Sequence, residues 1–142
     1  MGARVAPGFM RTDSAPVDLR VPFAASSVAL ARRQLRQWLA DLSVSGGRID
    51  EARVVLSELV GNAVRHAEPL PDGCLLVAWC LDGGRLRLSV TDGGSTSEPH
   101  TVKPPLSAVS GRGMLIVDRL AQSWWVDRSR RRTTVHALVA LD

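Results

Sequence analysis

The sequence predicts an α+β two-layer sandwich, a mostly antiparallel mixed sheet with helices on one face. Three observations carry that prediction. Apolar residues recur at helical spacing in two stretches between residues 26 and 67, and again after Gly111. Elsewhere they alternate or run together in short stretches bounded by turn residues. The resulting order is strand, helix, helix, strand, strand, loop, helix, strand, strand. The 142 residues suit one domain, and a 45% hydrophobic content supplies its core. Aromatics make up only 4%, so that core is mostly Leu, Val and Ala.

Each element has its own signal. Residues 1–16 are small, polar and punctuated by Pro7 and Pro16, which reads as a disordered tail ahead of a domain at 17–142. Val17, Leu19 and Val21 alternate as in a short edge strand, and Pro22 ends it. Val28, Leu35, Trp38, Leu39 and Leu42 form a helical stripe, with Ser26 or Ser27 as cap and Gly46–Gly47 as stop. A second helix is expected from about Asp50, its cap, to Ala67, closed by Pro69 and Pro71. "CLLVAWCL" reads as a buried strand and "DGG" at Asp82–Gly84 as a hairpin turn. "RLRLSVTD" alternates, with Leu86, Leu88 and Val90 on one face. Residues 93–110 read as an irregular loop of a length that often marks a functional lid. "GRGMLIVDRLAQ" opens a third helix, and "SWWVDRS" and "TTVHALVAL" are two strands around an Arg-rich turn.

Charge and cysteine content narrow the function classes. The net charge is +4, yet Lys103 is the sole lysine among 18 basic residues. Arg enrichment beside abundant Ala, Val and Leu reads as GC-rich coding rather than a nucleic-acid footprint, so no direct nucleic-acid partner is expected. The cluster Arg128–Arg132 could bind acidic partners, but reads better as a solvated hairpin tip. Cys74 and Cys80 share strand parity but lie too far apart to bond, and their spacing fits no zinc pattern. They read as reduced, buried thiols of a cytoplasmic protein. No apolar run reaches the roughly 18 residues of a membrane span, and no signal-peptide pattern appears.

Three places combine pattern with chemistry. In "SELVGNAVRHAE", Leu56, Leu59, Val60, Ala63 and Ala67 gather on one side of the second helix. Glu58, Asn62, Arg65 and His66 gather on the other. Alone, that polar side also reads as a water-facing stripe. A Glu and an Asn one turn apart can also hold a hydrated Mg²⁺ and a reacting hydroxyl. Asp92 shares parity with Leu86, Leu88 and Val90, and an inward carboxylate needs a partner such as a ligand amino group. It can equally begin a turn with Gly93–Gly94. Gly111-Arg112-Gly113 opens a helix, where backbone N–H groups favour phosphate. Together these are the parts of an adenine-nucleotide site.

"SELVGNAVRHA", "VTDGGS" and "GRGMLIVDRLA" resemble the N, G1 and G2 boxes of the GHKL ATPases, the family of gyrase, heat-shock chaperone, histidine kinase and mismatch-repair ATPases. Spacing and size look most like the anti-sigma-factor serine/threonine kinase branch. The resemblance spans about residues 17–141. It implies the Bergerat ATP-binding fold with an ATP lid. It implies ATP and Mg²⁺ as cofactors, with Asn62 as the metal ligand and Glu58 as the catalytic base. Asp92 would take the adenine amino group and Gly94 would let the base approach. Gly111, Arg112 and Gly113 would frame the phosphates, with Arg65 and His66 near them. Thr134 resembles the late-strand Thr beside the adenine. The second glycine of the G1 pattern is replaced by Thr96, and "WWVDRSRRRTT" lacks the glycines expected around that hairpin.

Two functions follow from the resemblance. One is an anti-sigma factor with kinase activity toward a small anti-anti-sigma (STAS-type) protein, whose partners would also include a sigma factor. The other is an ATP-binding interaction switch without that activity, a reading the altered G1 box favours. Relatives of this kind are often homodimers.

Overall fold

The structure, a computed structural model, describes residues 15–94, 100–102 and 111–142. The expected tail, apart from residues 15 and 16, lies outside the described residues. So does most of the expected lid. The elements are β1 (Val17–Pro22), α1 (Ser26–Asp41), α2 (Gly46–His66), β2 (Cys74–Asp82), β3 (Arg85–Asp92), β4 (His100–Val102), α3 (Gly111–Leu120), β5 (Ser123–Ser129) and β6 (Arg132–Ala140). This is the expected α+β sandwich. One short strand, β4, lies within the segment read as irregular.

Among the described residues the sheet has six strands in the order β1-β2-β3-β6-β5-β4. All five pairings are antiparallel, so the sheet is not mixed as expected. Two of them are hairpins, β2–β3 and β5–β6, while β1 and β2 are joined through the helical pair. Gly83 and Gly84, with φ of 59° and 81°, make the two-residue turn between β2 and β3.

One face of the sheet carries the core. Leu75, Val77 and Trp79 of β2 lie beside Leu86, Leu88 and Val90 of β3, then Ala137 and Val139 of β6 and Trp124 and Val126 of β5. The helices close this face with Ala31, Leu35 and Leu39 of α1 and Ala52, Val55, Leu56, Leu59, Val60 and Ala63 of α2. The opposite residues of β2 are only partly covered. Cys74 and Cys80 stand there as free, half-buried thiols, less buried than expected. On the same far face His136 stacks on Trp125 at 4.9 Å and bonds Asp127 at 3.0 Å.

Two helix starts differ from the sequence reading. No side chain caps α1; the Ser27 hydroxyl instead donates to the Pro22 carbonyl. α2 begins at Gly46, not Asp50, with Ser45 as N-cap accepting from the Arg48 N–H. The glycine pair is therefore the first turn of α2 rather than a gap between helices. Burial of Ile49 against the core draws those four residues into the helix.

Candidate functional site

α2 crosses the sheet near the ends of β3, β5 and β6, and a cleft of about 240 Å³ opens there. Leu59, Ala63 and Ala67 line it from the helix, and Val90, Val126 and Val135 from the sheet. These six give an apolar slot suited to a flat ring. Its polar groups are Asn62, His66, Asp92, Arg128 and Thr133.

The strand register sets the polar end. Val90, Val135 and Val126 form one row across β3, β6 and β5. The next row outward is Asp92, Thr133 and Arg128. The sheet thus ends its apolar face with an acceptor, a hydroxyl and a cation in line. Asp92 lies at the end of β3 with the parity of Leu86, Leu88 and Val90, and only 5% of it is exposed. Burial pushes its carboxyl up from 3.8 to about 6, opposed by a hydrogen bond from the Gly94 N–H and by the charge of Arg128. The Gly94 N–H reaches Oδ1 at 2.7 Å, so the turn and the inward carboxylate, read as alternatives, occur together.

The two glycines after Asp92 are held by contact as well as conformation. Gly94 has φ of 68°, and a Cβ there would lie 2.2 Å from the Arg132 nitrogen. Gly93 has no unusual φ, but a Cβ on it would meet the Pro69 carbonyl oxygen at 2.1 Å. Its N–H donates to the Glu68 carbonyl at 2.7 Å. That bond ties the end of β3 to the exit of α2, beside the cleft. Gly93 had been read only as part of a turn.

The four candidate residues of α2, Glu58, Asn62, Arg65 and His66, separate in the fold. Asn62 and His66 face the cleft. Asn62 Oδ1 is buried and has no hydrogen-bond partner among the described residues. A carbonyl oxygen in that state suits a cation or its bound water. Glu58 instead lines a neighbouring groove of about 360 Å³ with Arg32, Asp50, Arg53, Val54 and Ser57. Arg65 is exposed, with its guanidinium lying over Gly61. Gly111, Arg112 and Gly113 form the first turn of α3, which packs against α2.

Thr134 is not brought to the cleft. It pairs with Thr91 in register, and the two hydroxyls bond at 2.8 Å on the far face of the sheet. Strand alternation puts its neighbour Thr133 in the cleft instead. Arg128, read as part of a solvated tip, also faces the cleft, because β5 alternates Trp124, Val126, Arg128 inward.

Comparisons with known proteins agree with the fold. The family model of the histidine kinase-like ATPase domain matches residues 21–138. The fold is similar to the RsbU and RsbW domains of Rv1364c from Mycobacterium tuberculosis, with a TM-score of 0.69 and 24% identity over 90% of this chain. This chain spans 33% of the length of that one. It is also similar to the SiaB-SiaC complex from Pseudomonas aeruginosa, with a TM-score of 0.60 and 12% identity over 87% of this chain and 88% of the matched one.

Proposed function

This chain belongs to the histidine kinase-like ATPase domain family, and we propose that it binds Mg·ATP in the cleft between α2 and the sheet and phosphorylates a Ser or Thr of a small anti-anti-sigma protein. The observation that carries the reading is the unsatisfied Asn62 Oδ1 beside an apolar slot that ends in Asp92. The slot takes the adenine, and the Asp92 carboxylate accepts from its amino group. Asn62 of α2, across the cleft, would hold the metal through its carbonyl oxygen. Bound Mg²⁺ would supply charge neutralisation to the phosphates.

Glu58 precedes Asn62 by one turn of α2 and opens on the groove with Arg32 and Arg53. In this reading the acceptor hydroxyl enters from that groove. Glu58 takes its proton as the oxygen bonds the γ-phosphorus and ADP leaves. One of the structures similar in fold is a SiaB-SiaC complex, which supports an activity exerted on a protein partner. The sigma factor would be the second partner.

A second reading keeps the nucleotide and drops the chemistry, so that ATP only orders a protein-binding surface. The placement of Glu58 outside the cleft favours it. Transfer of labelled γ-phosphate to the chain's anti-anti-sigma partner separates the two. The kinase reading expects transfer by the wild type and at least a hundredfold slower transfer by Glu58→Gln. Tight ATP binding with no transfer supports the switch, and an unchanged rate in Glu58→Gln removes the base assignment.

A further inference from the structure

Arg128 stands at the far end of the row Asp92–Thr133–Arg128, two strands from Asp92 or about 10 Å between backbones. Its Nε is buried without a hydrogen-bond partner among the described residues, although the side chain lines the cleft. A guanidinium is normally paired or solvated, because five donors are costly to leave unmade. Asp92 is close enough for its carboxyl to feel the Arg128 charge. Thr133 stands between them in the row, and Arg128 acts on Asp92 through its charge without a hydrogen bond to it. The row therefore presents an acceptor at one end and an unpaired Nε–H at the other.

Adenine matches that order. Its exocyclic amino group is its donor, and its ring nitrogens are acceptors. We infer that Arg128 is a specificity-determining residue of the cleft, donating to a ring nitrogen of an adenine whose amino group is held by Asp92. The inference rests on the nucleotide reading and extends it. The site reads the base from both ends, and it disfavours a purine that carries a ring N–H on the Arg128 side. The arginine-rich run at 128–132 then has two parts. Arg128 belongs to the site, while Arg130, Arg131 and Arg132 are exposed at the hairpin.

The test uses two nucleotides that differ only at the amino group: ATP and purine riboside triphosphate, which keeps the ring nitrogens. Each is titrated with Mg²⁺ into the full-length wild type, Arg128→Ala, Arg128→Lys and Asp92→Asn. Arg128→Ala is expected to weaken both nucleotides about tenfold or more, the loss of one charged hydrogen bond. Arg128→Lys should recover part of that loss, and both variants should melt close to the wild type without nucleotide. Asp92→Asn should weaken ATP selectively. Undiminished affinity in Arg128→Ala would overturn the inference alone. So would a loss confined to ATP, since Arg128 would then act only through Asp92. A wild type that binds neither nucleotide would overturn the nucleotide reading and this inference with it.

Discussion

Asp92 links the fold and the ligand to pH. Its carboxyl titrates at about 6 in the folded chain against 3.8 in the unfolded one, because burial penalises the charged form. A carboxyl raised on folding binds its proton more tightly in the native state. The folded chain therefore carries a penalty above pH 6 that is relieved as pH falls from about 6 toward 4, roughly 3 kcal/mol in full. Asp92→Asn is expected to raise the melting temperature of the nucleotide-free protein at pH 8 and to leave it nearly unchanged at pH 4. A pH-independent difference would show that the penalty does not come from this carboxyl. ATP binding runs the other way, since the ionised form is the one that accepts from the amino group. Affinity should fall below pH 6 in the wild type, and this step should vanish in Asp92→Asn. Gly93 gives a second test at this scale. A methyl group there meets the Pro69 backbone oxygen, so Gly93→Ala should cost about 2 kcal/mol or more in urea unfolding and weaken ATP as the cleft shifts. Stability equal to the wild type would mean that the contact is readily relieved.

At the scale of the element, α2 carries two separable surfaces. Leu56 is fully buried in the core, while Glu58 and Asn62 serve two different openings. Leu56→Ala should lower unfolding free energy by about 2–5 kcal/mol. Glu58→Gln should change it by less than about 0.5 kcal/mol. Similar losses in both would mean that Glu58 is structural. The inward side of α2 was legible because its apolar residues keep helical spacing without a break. Its start was not, because Gly46–Gly47 is a local stop signal that tertiary burial of Ile49 overrides. Asp92 was legible by parity. The same parity, applied along β6 from Val135, Ala137 and Val139, points to Thr133 rather than Thr134. Applied along β5 from Trp124 and Val126, it points to Arg128. The Arg-rich composition around residue 128 hid that signal. The separation of Glu58 from Asn62 had no sequence signal, because helical angles alone do not say which neighbour each side chain meets.

Across the whole molecule, the site lies where one helix and three strands converge. α2, β3, β6 and β5 each contribute at least two residues to the cleft, and the Gly93–Glu68 bond holds the helix exit to the sheet. That arrangement sets the polar residues at the end of the apolar face, so loss of Asn62 or Thr133 should cost binding more than folding. The central claim is that Asn62 presents its carbonyl oxygen to the metal of Mg·ATP. The most direct measurement is calorimetric titration of ATP with and without Mg²⁺ into the wild type and Asn62→Ala, beside their melting temperatures without nucleotide. The account predicts Mg²⁺-dependent binding by the wild type, loss of that dependence in Asn62→Ala, and nearly equal melting temperatures. Mg²⁺-dependent binding that survives in Asn62→Ala would contradict it.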